Sequence, residues 1–174
     1  MRMKRLLVVG RFQPPHLGHL HTIKWALGRA EEVIVVVGSA QESYTLENPM
    51  TAGERVHALR LMLEELDDWC RRLMIAPVPD IAMNKVWVQY LKMLLPPFDG
   101  VVSGNELVLM LFEDMGLAAL RPPMFRRGEC SGTRIRRLMA SGESGWEDCL
   151  HPQVRRYVEE IGLPERLRRL QEMR

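Results

Sequence analysis

One ten-residue segment, Gly10-Arg11-Phe12-Gln13-Pro14-Pro15-His16-Leu17-Gly18-His19, gathers residue types suited to chemistry on an anion. It leaves a short apolar run and enters a stretch of helical period through Ile23 and Leu27, so it reads as a strand-to-helix turn. The free N–H groups and dipole at the start of such a helix favour a phosphate. Arg11 adds a two-pronged donor, and His16 and His19, three residues apart at the helix start, can aim both rings at one anion. Gly18, lying between them without a side chain, would let a ligand's flat base approach the backbone. The segment is not a Walker loop, because the Lys-Ser/Thr ending is missing, and it is not the GxGxxG dinucleotide fingerprint. Taken singly, His16, His19 and His21 each read as loop or surface side chains, and a zinc site lacks further ligands at suitable spacing.

The elements that must position this turn show as an alternation. Short β-branched runs at Arg5–Val9, Val33–Val37, Leu73–Val78 and Gly100–Val102 are separated by longer stretches of helical period, and the pattern allows a fifth strand near Leu117–Leu120. Runs apolar on both faces and separated by helices predict an α/β protein with an open parallel sheet and helices on both faces. Ligands of such sheets bind beyond the carboxyl ends of the strands, where the Gly10–His19 turn falls. Thr51 with Glu54 reads as a capping box, and Ser103 with Glu106 and Ser144 with Glu147 repeat the pattern. Pro152 and Pro164 suit the first turns of two C-terminal helices within a helical segment of about residues 147–174. Their apolar positions, Val154, Val158, Ile161, Leu167 and Leu170, are expected to pack against the sheet or a neighbouring subunit. Pro96-Pro97 reads as a rigid turn and not a boundary, so residues 1–174 are expected to form a single domain.

Composition narrows the classes. A chain of 174 residues that is 47% hydrophobic and 26% charged describes an ordinary globular protein and argues against disorder. No apolar run approaches the ~20 residues of a membrane span, and Leu6–Val9 is broken by Gly10 too soon for a secretory signal. Cys70, Cys130 and Cys149 are odd in number and include no CxxC pair, so they are expected to be reduced thiols in a cytoplasmic protein. Arginine clusters at Arg126-Arg127, Arg134–Arg137 and Arg166–Arg169 raise a nucleic-acid-binding module as a rival, but a net charge of +2 argues against it.

The Gly10–His19 turn resembles the HxGH signature of the nucleotidyltransferase superfamily. Ser131-Gly132-Thr133-Arg134-Ile135-Arg136 resembles its second signature, S-x-T-x-I-R, in the expected order and more than 100 residues later. Gly38-Ser39-Ala40-Gln41, the block Asn48–Arg55, Asn84-Lys85-Val86-Trp87-Val88, Pro96-Pro97-Phe98-Asp99 and Ser103-Gly104-Asn105 narrow the resemblance to archaeal-type nicotinamide mononucleotide (NMN) adenylyltransferases, along roughly Leu6–Leu170. That resemblance implies a Rossmann-like fold and transfer of AMP from ATP to NMN by direct in-line attack, giving NAD and pyrophosphate. It also implies a homohexamer, and because a triphosphate's charge must be offset, Mg2+ is expected, held mainly by the ATP phosphates and water with no protein ligand to the metal assigned.

The resemblance assigns His16, His19 and Arg136 as catalytic, with His19 nearest the reacting phosphorus and Arg136 on the β and γ phosphates. It places Gly10, Arg11, Phe12, Gln13, Gly18, Gly104, Asn105, Phe125, Ser131 and Thr133 around ATP, and Ser39, Gln41, Asp80, Asn84 and Trp87 around NMN. Trp87, in sequence with Val86, Tyr90 and Leu91, reads equally as a core aromatic on its spacing alone. Arg134 and Arg137 are left as surface or subunit contacts. Asp99 and Glu106 are expected in cap or turn roles, since no proton need be taken from a phosphate. Two positions depart from the pattern: Cys130 stands where many relatives carry an aromatic, and Glu47 where some carry a basic residue. The alternatives are another adenylyltransferase of the superfamily, for example with a phosphopantetheine acceptor, or a non-catalytic nucleotide-sensing module.

Overall fold

The β-branched runs all become strands. In a computed structural model, which describes residues 2–126 and 128–174, they are β1 (Met3–Gly10), β2 (Ala30–Val37), β3 (Leu73–Pro77), β4 (Gly100–Val102) and β5 (Ala118–Leu120). Met1 and Arg127, the latter part of one arginine cluster, lie outside the described residues. The five strands form one parallel sheet in the order β3-β2-β1-β4-β5, with Val8 level with both Val35 and Val102. The chain winds outward from β1 to β3 and then crosses to the other side of β1 to lay down β4. This is the doubly wound, Rossmann-like arrangement, whose crevice opens where the winding reverses, between β1 and β4.

Alternation along the strands feeds two cores. Leu7, Ile34, Val36 and Val101 meet α4 (Trp87–Leu94) and α5 (Glu106–Asp114) on one face. Leu6, Val8, Val33, Val35, Val37 and Val102 share the other core with α1 (Leu17–Leu27), α2 (Ala52–Leu63), α6 (Gly132–Ser141), α7 (Pro152–Glu160) and α8 (Leu163–Glu172). A short α3 (Trp69–Arg72) leads into β3. Among the described residues, no helix is long and apolar enough to cross a membrane.

The helix starts depart from expectation in two places. Thr51 and Glu54 do form a reciprocal capping box, with bonds of 3.1 and 2.9 Å. Helix α5, however, is capped by Asn105, whose Oδ1 accepts the Leu107 and Val108 amides, while Ser103 Oγ accepts the Asn105 amide and Glu106 turns to Arg121. Ser144 caps no helix either. Gly142 and Gly145 take left-handed backbone there, and Glu147 opens only a single 3-10 turn, Glu147–Cys149. Asp99 ties down the start of β1, accepting the Lys4 and Arg5 amides at 2.9 and 3.0 Å.

Pro152 and Pro164 sit in the first turns of α7 and α8. Of the five positions expected to face the sheet or a neighbour, Val154, Val158 and Leu167 are buried, while Ile161 and Leu170 are half-buried. Val154, Val158, Leu163 and Leu167 are buried within this chain, α7 against α2 and α8 against α6. Exposed apolar side chains on α4 and α5 include Met93, Leu94, Leu107 and Met110.

The cysteine reading is corrected. Cys130 and Cys149 form a disulfide, and only Cys70, which is exposed, is free among the three. A separation of 19 residues carries no sign of pairing; the fold creates it by bringing the residue before α6 alongside the 3-10 turn before α7, with Cα atoms 5.3 Å apart.

Candidate active site

Helix α1 starts with a capping box built from two imidazoles. His16 is the N-cap and its Nδ1 accepts the Gly18 amide at 3.1 Å, while Nδ1 of His19 accepts the His16 amide at 3.0 Å. These roles fall to a hydroxyl and a carboxylate in the usual box. The two rings stack with centroids 3.7 Å apart. Burial, with the Arg136 charge behind it, pushes His16 down to about 4, and burial together with His16 holds His19 well below the ordinary imidazole value. Both rings are therefore neutral at pH 7. With each Nδ1 accepting, the hydrogen-bond network assigns the remaining proton of each ring to Nε2, which leaves one N–H donor per ring. Gly18 serves the ring: a Cβ there would come within 2.9 Å of the His16 imidazole, nearer than any ligand is needed to explain the glycine.

The second signature reaches the same place from the far end of the chain. Ser131 caps α6 by accepting the Arg134 amide at 3.2 Å. A Cβ on Gly132 would come within 2.8 Å of Arg136 Nη1, so the glycine lets the guanidinium fold back over the helix start. There Nη1 donates to the Gln13 carbonyl at 2.9 Å, joining the two signatures directly. Burial and then the Arg11 charge lower the Arg136 pKa, while Glu47 raises it. Two helix N-termini and two guanidinium groups thus concentrate positive potential in one region, where an anion is favoured.

Phe12 and Gln13 shape the turn from inside. Phe12 takes left-handed backbone (φ 56°) and sends its ring into the core 4.5 Å from that of His19. The Gln13 amide exchanges two hydrogen bonds with the Met50 backbone, at 2.9 and 2.8 Å. With side-chain-bearing residues only 1% and 2% exposed, Phe12 and Gln13 have little but backbone to offer a nucleotide. Thr133 is exposed on the first turn of α6.

Beside this cluster, at the strand ends, lies a cleft of about 390 Å³ lined by Gly10, Arg11, Ser39, Asp80, Asn84, Trp87 and Asn105, among others. Asp80 is fixed in it: Ser39 Oγ and Gln41 Nε2 donate to its carboxylate at 3.1 and 3.0 Å, and Gln41 Oε1 accepts its amide at 3.0 Å. Trp87 satisfies both of its readings, lining the cleft while packing edge-on to Phe112 at 5.9 Å. Gly104 gives its carbonyl to Arg121 at 3.2 Å. Phe125 is not in this cleft; its ring stacks on His21 at 4.9 Å. Among the described residues, no group of three or more His, Cys, Asp or Glu could hold a metal ion.

Arg55 ends one of the blocks that carry the resemblance, which gives it no role, yet it is fully buried beneath the turns that carry Arg11 and Ser39. A signal existed. Arg55 shares a helical stripe with the buried Ala58, Leu59, Met62 and Leu63, where the period calls for an apolar side chain.

Comparison with known proteins agrees with this geometry. A cytidylyltransferase-like family model matches residues 7–138. A curated relative from Ignicoccus hospitalis, named nicotinamide-nucleotide adenylyltransferase, is 49% identical over 166 residues, covering 95% of this chain and 97% of its own. One of the same name from Pyrobaculum aerophilum is 44% identical, covering 95% and 93%. Among solved structures, a bifunctional NMN adenylyltransferase/ADP ribose pyrophosphatase from Francisella tularensis, complexed with AMP and a manganese ion, superposes with a TM-score of 0.76 at 19% identity. That match covers 97% of this chain and 52% of the bifunctional one, so this chain spans about half its length and the likeness is one of fold.

Proposed function

The chain belongs to the nicotinamide-nucleotide adenylyltransferase family, within the cytidylyltransferase-like proteins, and from that premise we infer how this nucleotidyltransferase carries the AMP moiety of ATP onto nicotinamide mononucleotide, giving NAD and pyrophosphate. The convergence of His16 and His19 from α1 with Arg136 from α6, beside a cleft lined by Arg11 and Trp87, carries this reading.

The mononucleotide's 5'-phosphate is already an anion, so the reaction needs no general base. Its oxygen attacks the α-phosphorus of ATP in line. The new P–O bond forms as the bond to the bridging oxygen breaks, and pyrophosphate leaves with that electron pair. The Nε2–H groups of His16 and His19 donate to oxygens that gain charge in the pentavalent transition state, with His19 nearest the phosphorus. A neutral imidazole suits this task, since it stabilises charge without surrendering a proton. Arg136 and Arg11 offset the charge on the departing pyrophosphate, each able to grip two oxygens. In the cleft, Trp87 offers its face to the cationic pyridinium ring, Asp80 complements that charge, and Asn84 orients the carboxamide. Magnesium enters with ATP as part of the substrate; the described residues offer no cluster to hold it, and no step is assigned to it.

A pyrophosphate-release assay with ATP and magnesium tests the reading, comparing NMN, its acid form and phosphopantetheine, with His19→Ala as control. Release with a pyridine mononucleotide, lost in the variant, is the expected result. Release with phosphopantetheine alone overturns the acceptor. The proposal extends to a cytoplasmic protein without nucleic-acid or membrane partners and to its assembly as a homohexamer; the exposed apolar side chains of α4 and α5 support the assembly alone, and light scattering checks its mass.

A further inference from the structure

Resting on that reading, we propose that Arg55 is a positioning residue for both substrates at once, a sealed guanidinium that locks the turn carrying Arg11 and the turn carrying Ser39 into one geometry. Arg55 lies in the first turn of α2 and is 0% exposed. A guanidinium has five N–H groups in a rigid planar fork, and here each has a carbonyl. Nε donates to Thr51 at 3.3 Å, Nη1 to Arg11 and Gly38 at 3.0 and 2.8 Å, and Nη2 to Ser39 and Glu42 at 3.0 and 3.3 Å. Three separate segments are thereby tied to one plane: the exit of β1, the exit of β2 and the start of α2.

No ion pair among the described residues includes Arg55. Burial lowers its pKa and the more distant Asp80 raises it, and an arginine stays charged under such conditions. The side chain is therefore a fixed positive charge, neutralised by carbonyl dipoles and lying beneath a site that must accept two anionic substrates.

Two of the turns it grips are strained. Phe12 and Ser39 take left-handed backbone at φ 56° and 49°, although neither is glycine, and such conformations persist only where the surroundings over-determine them. Arg55 holds the Arg11 carbonyl, in the peptide entering Phe12, and the carbonyls of Gly38 and Ser39 on either side of the second strained residue. Each turn then sets one half of the site. The first projects Arg11 into the cleft and seats the Phe12 ring on His19; the second aims Ser39 at Asp80. Lysine keeps the charge but has one nitrogen, which cannot span three segments.

Arg55→Lys and Arg55→Gln, assayed at 25 °C after circular dichroism confirms folding, test this. Arg55→Lys should raise KM for ATP and for NMN together and lower kcat, with kcat/KM down about 100-fold, the scale of a 1 Å misplacement. Independently of activity, hydrogen exchange at the amides of residues 38–42 should speed up about tenfold or more as the carbonyl anchors of that turn are released. An Arg55→Lys protein of lower Tm whose KM values, kcat and exchange stay within about twofold of wild type would overturn the proposal, leaving Arg55 a stabilising residue only. Should Arg55→Gln fail to fold, Arg55→Lys decides; should neither fold, the role is structural and the proposal falls. Inactive wild-type protein would sink the underlying function, whereas active wild type with a kinetically silent Arg55→Lys sinks this inference alone.

Discussion

The backbone amide of His16 donates to Nδ1 of His19 at 3.0 Å, so the ring proposed to face the reacting phosphorus also holds the N-cap residue of its own helix. On the proposed mechanism folding and catalysis use opposite nitrogens of one imidazole, and the two can be separated. His19→Asn keeps an acceptor near the Nδ1 position and removes the Nε2 donor. Its stability should stay near wild type while kcat falls about 100- to 1000-fold, the cost of one transition-state donor. His19→Ala should lose a similar rate and about 1 kcal/mol of stability besides. Steady-state kinetics and urea melts check both, and an Asn variant retaining kcat within about tenfold would remove the ring donor from the mechanism.

Acid should weaken the fold through the same pair. Both histidines have folded pKa values below the unfolded value of 6.5, so the folded state binds fewer protons. Their contribution is fully present above about pH 6.5 and is lost as pH falls toward the His16 value of about 4. His16 alone accounts for on the order of 3 kcal/mol across that window. Urea denaturation at pH 7, 5.5 and 4 should show the decline, and His16→Asn should flatten it. Equal slopes for the two proteins would contradict the assignment.

Trp87 should separate the two substrates. Trp87→Ala should raise KM for NMN about tenfold, the loss of a ring face from a cation, while KM for ATP stays within about twofold. Initial rates at varied concentrations of each substrate decide. Equal increases would mean that the edge contact with Phe112 matters more than the cleft.

The Cys130–Cys149 disulfide closes a loop of 19 residues, for which chain entropy predicts about 3 kcal/mol of stabilisation. Reductant, or Cys149→Ser, should lower Tm accordingly. Thiol titration of the unfolded, unreduced protein should find Cys70 alone, and recovery of all three cysteines would show the bond absent.

Reading along the chain recovers whatever repeats along it. The strands follow from β-branched runs, the parallel sheet from the helices between them, and the Thr51 cap from a four-residue pattern. The His16–His19 turn was legible for the same reason. What escaped lies across the chain. Gln13 clamps Met50 from 37 positions away, and Arg55 reaches back 44 positions to Arg11. The disulfide and the Arg55 carbonyl cradle depend on which loops become neighbours, a property of the completed sheet order that no local period records. The Asn105 cap escaped differently: Ser103, Asn105 and Glu106 compete within four residues, and Arg121, drawn in by the tertiary structure, takes Glu106 out of contention.

Arg136 meets the Gln13 carbonyl across 123 positions of sequence. During synthesis the first strand and helix therefore leave the ribosome long before the guanidinium that they bind does. A product that stops short of α6 has both histidines and the Gln13 carbonyl but not the guanidinium that ties them to the far end of the chain. The contact between the two signatures therefore forms only after the sheet between them has been made, and it reports that the two ends of the fold have met.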